Sequence, residues 1–370
     1  MALTDRLRHQ ALSLFGEDIA TLLYDDPAHG GDGSYVISPE KASVKWQWQT
    51  GQIAGQFPFV LTGNQQAKFT VRINPEEGMR GDTEIIGMMS TQTGRFGLLP
   101  YIPILDKYLA NALIPSSLMC GTAQLPALWP QSVYCLPSTL WQFDVRDLSG
   151  SSNTISPVLF GRRFLDRGKE RLTDLRRVAL FSKFMHPYWL GPTSAYNETS
   201  SVAVSVNPTV TIPAGATVTV RFAVPSTADF DCRYILDDST AGASTEPDDL
   251  FAFITEGGSA RGLVDAPPGS NGLSWRKFLA SPTVPVTGFP SGGGVLATGG
   301  IRAASLPSPA GGWSHLFKRG TDIEVKFRST ESSNDITLRT AFVGTLIYAT
   351  EPLDQTLSKV VRDIQNALGV

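Results

Sequence analysis

Thr217-Val218-Thr219-Val220-Arg221-Phe222 alternates polar and apolar residues. Such alternation marks a strand with one buried and one wet face, as in antiparallel sheets. The same texture recurs in Val44-Lys45-Trp46-Gln47-Trp48-Gln49 and in Phe69-Thr70-Val71-Arg72-Ile73. Turn signals punctuate these runs at Thr62-Gly63-Asn64, Ser149-Gly150-Ser151, Pro213-Ala214-Gly215 and Glu331-Ser332-Ser333-Asn334. Many short strands with frequent turns imply β-sandwiches, with jelly rolls and other Greek keys not separated at this level.

An internal repeat extends the reading. Trp141-Gln142-Phe143-Asp144-Val145-Arg146 runs into DLSGSSNT, then into a strand from Ile155 through Phe160 to Phe164. Asp322-Ile323-Glu324-Val325-Lys326-Phe327 runs into RSTESSND, then into a strand from Ile336 through Phe342 to Ile347. The beginnings correspond too: Phe59-Val60-Leu61, a turn and Phe69–Ile73 match Val210-Thr211-Ile212, a turn and Val218–Phe222. The period, roughly 150–180 residues, is that of a domain and not of a solenoid. Two sandwiches of similar plan are expected over 44–165 and 200–350.

Helical periodicity flanks them. Leu3, Leu7, Ala11, Leu14, Phe15, Ile19, Leu22 and Leu23 recur at steps of three and four, before Pro27 and Gly30-Gly31-Asp32-Gly33. Leu353, Leu357, Val360, Val361, Ile364 and Leu368 repeat the pattern at the other end. Residues 166–199 form a basic connecting segment, with helical spacing from Glu170 to Lys183. The expected architecture is all-β: two antiparallel β-sandwich, jelly-roll-like domains, an N-terminal helix and joint over 1–43, a connecting helix, and a C-terminal helix over 351–370.

Composition narrows the function. The 370 residues carry a formal charge of −3, with 42% hydrophobic and 18% charged residues. A near-neutral chain lacks the basic footprint of wholesale nucleic-acid binding. No apolar run reaches the roughly 18–20 residues that span a bilayer. The N-terminal stretch mixes charge with apolar groups, so no secretory signal is expected there. Three cysteines without close spacing make no disulfide framework, and Cys120 and Cys135 read as buried reduced thiols. Synthesis and assembly in a cytoplasm are expected.

The phosphate-cradling, dinucleotide-binding, zinc-helix and nucleophile-elbow motifs are missing from the sequence. His9, His29, His186 and His315 lie in unrelated segments and show no zinc-ligand spacing. Asp237, Asp238, Glu246, Asp248 and Asp249 cluster in a Ser/Thr/Gly/Ala-rich stretch. That composition implies a solvated loop, with a calcium site from loop oxygens as the functional option. Asp25, Asp26 and Asp32 get the same reading. From Arg162 to Lys183 eight basic residues face three acidic ones. A solvated face explains such a strip, and so does docking to an acidic partner. Among seven tryptophans, Trp46 and Trp48 share a strand face, which suits a core or interface better than a sugar platform. Asn197-Glu198-Thr199 matches a glycosylation triplet, but a chain without a secretory signal does not meet that machinery.

Phe57-Pro58-Phe59-Val60-Leu61, Gly121-Thr122-Ala123-Gln124-Leu125-Pro126, and Asp147–Thr154 followed by Gly161-Arg162-Arg163 resemble virion structural proteins of tailed bacteriophages. The resemblance covers about residues 55–165; the second sandwich matches only in plan. It implies a non-enzymatic virion component, at the head surface or the head–tail neck or collar, assembled in the host cytoplasm. No cofactor and no catalytic residue is implied, and the metal complement is left open. Expected partners are copies of the chain and capsid, portal or tail proteins, with neither membrane nor nucleic acid. Leu3, Leu7, Leu14, Phe15, Leu353, Leu357, Val361, Ile364 and Leu368 are the candidate assembly residues; Arg162, Arg163, Arg167, Arg176 and Arg177 form the candidate docking strip. The alternative is a host-receptor or carbohydrate-binding module of a fibre or spike, which predicts exposed tryptophans. A third reading, a glycoside hydrolase on a β-scaffold, needs paired carboxylates facing a groove.

Overall fold

The computed structural model describes residues 44–50, 59–72, 83–103, 105–120, 127–135, 139–164, 185–242, 250–256, 272–275, 302–305 and 315–348. The terminal segments read as helices, the helix expected over 170–183 and the Gly121–Pro126 motif lie outside these residues. Among the described residues the elements are strands, with one 3-10 turn at Ser116–Leu118.

The first half of the chain contributes β1 (Val44–Thr50), β2 (Phe59–Leu61), β3 (Gln66–Arg72), β4 (Thr83–Gln92), β5 (Phe96–Ile102), β6 (Lys107–Tyr108), β7 (Ile114–Pro115), β8 (Ala127–Cys135), β9 (Leu140–Asp147) and β10 (Asn153–Phe164). One sheet has the order β1-β10-β4-β8 and the other β3-β9-β5-β6, with β2 added to β10 and β7 to β5. All pairs are antiparallel.

The second half contributes β11 (Met185–Leu190), β12 (Ser194–Asn197), β13 (Val202–Val204), β14 (Val210–Ile212), β15 (Thr217–Ala223), β16 (Asp229–Asp237), β17 (Thr240–Ala241), β18 (Leu250–Glu256), β19 (Leu273–Ser274), β20 (Arg302–Ser305), β21 (His315–Phe317), β22 (Asp322–Ser329), β23 (Ile336–Leu338) and β24 (Thr340–Ile347). Its sheets run β11-β24-β16-β20, with β21 added to β16, and β13-β12-β15-β22-β18-β19; β14-β23-β17 form a third. The segment read as a connector therefore holds β11 and β12 in its latter part. Pro187 lies in β11, opposite Thr345 of β24.

The two halves follow one plan, and the order is that of a jelly roll with a four-on-four arrangement of strands. The outer strand β1 corresponds to β11, β10 to β24, β4 to β16 and β8 to β20; on the facing sheet β3-β9-β5-β6 corresponds to β15-β22-β18-β19. Register confirms the repeat seen in the sequence. The N–H of Asp147, at the end of β9, donates to the carbonyl of Gln65, as that of Ser329, at the end of β22, donates to Ala216. Leu61 faces Asn153 in the first roll, and Val210–Ile212 pair with Ile336–Leu338 in the second.

The Asp147-Leu148-Ser149-Gly150 turn is built around one carboxylate. Asp147 is fully buried. Its oxygens accept from the backbone N–H groups of Asn64, Ser149 and Gly150, the Ser149 hydroxyl and the Asn153 amide. Gly150 is required for the turn because its φ is +72°, a left-handed conformation other residues rarely adopt.

Alternation becomes burial as expected. In β15, Val218, Val220 and Phe222 enter the second core while Thr219 and Arg221 stay outside. β24 behaves differently, since all of Thr340–Ile347 is buried. Phe342 and Leu346 join the second core, whereas Ala341 and Val343 join the first, together with Trp189 and Leu236. The sheet containing β11, β24 and β16 is thus a wall shared by both rolls, and a wall buried on both faces reads as a near-continuous apolar run.

Candidate functional site

Two surfaces carry organised polar chemistry, the seam between the rolls and the outer groove of the second roll. At the seam, residues 109–111 of the first roll lie along the edge of β11. The Trp189 N–H donates to the Leu109 carbonyl at 2.8 Å, and the Asn111 N–H to the Trp189 carbonyl at 3.3 Å. Ala110 and Trp189 form a parallel bridge, so the first roll lends a short strand to the second roll's sheet. The Asn111 amide donates to the Gly191 carbonyl at 2.8 Å and accepts from the Gly191 N–H at 2.7 Å. The Trp189 indole donates to Leu118 at 3.0 Å and meets Trp129 edge-on, with ring centroids 5.6 Å apart.

Beside it lies a buried charge cluster. The Ser117 hydroxyl donates to Asp238 Oδ2 at 2.7 Å. Arg95 of the first roll and Arg339 of the second approach that oxygen at 3.7 and 3.5 Å. Arg339 Nε also donates to the Asp238 carbonyl and Arg339 Nη2 to Thr240 Oγ1, both at 2.9 Å. Asp237 accepts from Ser239 through both its N–H and its hydroxyl. Burial pushes the Asp237 carboxyl up to about 6, with Asp238 adding to the rise, against hydrogen bonds from Ser239 and Trp275. The expected solvated loop is corrected at its start: Asp237 and Asp238 are both buried, Asp238 against Ser117, Arg95 and Arg339 from distant parts of the chain, whereas Glu246, Asp248 and Asp249 lie outside the described residues. Among the described residues no cluster of His, Cys, Asp and Glu could hold a metal ion.

His186 sits in the same wall, fully buried and stacked on Tyr348 at 5.3 Å. Burial, with Lys107 adding to it, pushes the imidazole down to about 3, so His186 is neutral at physiological pH. Lys107 lies over the Tyr348 ring, 3.9 Å from its centroid. This region is packing across the seam.

The outer groove covers the exposed face of β12, β15, β22 and β18 and has a volume of about 690 Å3. Strand register arranges its side chains in rows. Tyr196, Thr219, Lys326 and Phe253 form one row across the sheet; Ser194, Arg221, Glu324 and Thr255 form the next. Arg221 pairs with Glu324 at 2.7 Å. Lys326 pairs with Glu198, which also accepts from the Thr219 hydroxyl at 2.7 Å. Burial alone would raise Glu198, but Lys326 and Thr219 outweigh it and hold the carboxyl below its ordinary value.

The candidate assembly residues of the terminal segments, and Arg167, Arg176 and Arg177, lie outside the described residues. Arg162 and Arg163 fall in β10, in register with Trp46 and Lys45 of β1 and with Glu84 and Thr83 of β4. Trp129, Trp141, Trp189 and Trp275 are buried, as core tryptophans are expected to be. Cys120, Cys135 and Cys232 are buried thiols outside any disulfide. Asn197 of the glycosylation triplet is buried too, its Oδ1 accepting from the N–H groups of Thr199 and Ser200. The seam and the groove were invisible as sites, because each assembles strands far apart in sequence.

No family model matches the chain, and no curated protein does. Among solved structures, the chain is similar to one in the atomic structure of Sulfolobus Turreted Icosahedral Virus, at 10% identity and TM-score 0.38, over 87% of this chain and 95% of that one. PNGF-II is similar at 11% identity and TM-score 0.29, over 82% and 65%. The CBM22-1-CBM22-2 tandem domain of Paenibacillus barcinonensis Xyn10C is similar at 9% identity and TM-score 0.16, over 83% and 92%. Likenesses this distant carry no function across.

Proposed function

We propose that this chain is a non-enzymatic building block of a virion, in keeping with the tailed-phage resemblance of residues 55–165. One observation carries the reading: two rolls of the same plan share a wall, and backbone pairing, a buried tryptophan and an ion cluster close the seam between them. Jelly rolls serve viral capsids and lectins alike, so the fold by itself decides nothing. A duplicated, seam-locked block suits a role whose mechanism is adhesion, because it presents related faces at fixed angles.

The seam also supplies a mode of self-association. Strand β11 has its outer edge covered by residues 109–111 of the first roll. Its counterpart β1 pairs only with β10 among the described residues. A second copy pairing with that edge would repeat the internal junction between molecules, and a repeated heterologous contact closes into a ring when its rotation allows. The terminal amphipathic segments, with one apolar face each, are the proposed auxiliary contacts. Capsid, portal or tail proteins are the proposed further partners, and the head surface or the neck and collar the proposed location.

The test is the native mass of the full chain by light scattering, with electron microscopy of the same sample, alongside truncations lacking 1–27 or 352–370. A defined ring or shell supports the proposal. A monomer at every concentration, or turnover of a polysaccharide abolished by a single Asp or Glu substitution, overturns it.

A further inference from the structure

We infer that the outer groove of the second roll binds a neutral oligosaccharide. The groove mixes apolar surface with charges balanced in place: Arg221 holds Glu324, and Lys326 holds Glu198. With two cations spent on two carboxylates, the site offers no net attraction for a phosphate, a sulfate or a metal ion. It does offer fixed acceptors and donors, because a carboxylate engaged on one side keeps lone pairs for hydroxyl groups on the other. Arg221 and Lys326 keep further N–H donors, and the Thr219 and Thr255 oxygens, whose protons go to Glu198 and to the Glu324 carbonyl, add acceptors.

Aromatic rings stand at the two ends of one row. Tyr196 is 46% exposed, and Phe253 lines the opposite side. They are separated by three inter-strand steps, about 14 Å at about 4.8 Å per step. That span accommodates a short oligosaccharide with its apolar C–H faces against the rings and its hydroxyls over the charge pairs. A peptide adding to the sheet does not fit here, since β15 and β22 are hydrogen-bonded on both sides and offer no free backbone. The site uses tyrosine and phenylalanine, the tryptophans with described side chains being buried in the cores. It is independent of assembly, because every group belongs to one roll of one chain.

The experiment screens the full-length protein against arrayed neutral oligosaccharides of three to six units, from the malto-, cello-, xylo-, manno- and N-acetylglucosamine series. Sialylated and sulfated glycans serve as charged controls, and titration calorimetry follows on the best neutral ligand. Tyr196→Ala and Glu324→Gln are each expected to weaken binding about tenfold or more. Tyr108→Ala, which alters an exposed ring on the first roll, leaves it unchanged. Unchanged melting curves and native mass show that fold and assembly persist in the variants. Failure of every neutral glycan to bind, binding confined to charged glycans, or neutral-glycan binding that survives both groove substitutions would overturn the inference.

Discussion

The indole of Trp189, on the first strand of the second roll, donates to the carbonyl of Leu118 in the first roll at 3.0 Å, with the Trp189 side chain fully buried in the first roll's core. One residue thus belongs by chain to one roll and by packing to the other. The two rolls should therefore unfold together. Trp189→Ala is expected to cost about 3–5 kcal/mol and to split the single unfolding transition into two. Urea titration followed by both far-ultraviolet circular dichroism and tryptophan fluorescence checks this: coincident curves for the variant would show that Trp189 is not what couples the rolls.

Asp238 and Arg339 should behave as a buried pair. Arg339→Met leaves the Asp238 carboxylate facing only Ser117 and the more distant Arg95, at an expected cost of about 3–5 kcal/mol. Adding Asp238→Asn removes the stranded charge and should recover a large part of the loss. A double-mutant cycle on unfolding free energies reads the coupling, and additive effects would refute the pairing.

Asp147 sets the acid limit of the first roll. Burial would raise its carboxyl, but hydrogen bonds from Ser149, Asn64 and Asn153 overcome this and hold it at about 2. A depressed folded value stabilises above the unfolded value near 4, and the contribution is lost as the pH falls from there towards 2. Asp147→Ala strands the donors of the turn and is expected to cost about 1–3 kcal/mol at neutral pH, while flattening stability between pH 4 and 2. Unfolding measured across that window tests both effects.

Asp237 acts in the opposite sense and in a different window. Its folded carboxyl lies near 6, raised by burial above the unfolded value near 4. The folded state therefore takes up a proton between these values, and stability falls as the pH rises from about 4 to about 6, by on the order of 2 kcal/mol. Asp237→Asn should remove that slope, and an unchanged slope in the variant would place the titration elsewhere.

The cysteines should be silent in the native state. Cys120, Cys135 and Cys232 are buried, and burial pushes the Cys120 thiol well above its ordinary value, so little nucleophilic thiolate forms. Ellman's reagent is expected to label none of the three before unfolding and all of them after it.

The strands and the repeat were legible because each leaves a local trace. Thr217–Phe222 alternates because one face is wet, and Asp147-Leu148-Ser149-Gly150 marks its turn because a carboxylate and a left-handed glycine act within a few residues. Asp237 and Asp238 misled for the same reason. Their neighbours in sequence are Ser, Thr, Gly and Ala, which read as solvated, while the groups that meet the Asp238 carboxylate are Ser117, Arg95 and Arg339.

By itself, then, the sequence determined much of what the described segments would be: antiparallel strands, two copies of one plan and buried thiols. Period and turn chemistry act over a handful of residues and are written locally. Only the tertiary structure decided that β24 would serve two cores, that residues 109–111 would pair with β11, and that Tyr196 and Phe253 would stand across one groove. Those relations depend on which strand lies beside which, and chain closure over about a hundred residues settles that through packing, with no local residue pattern to announce it.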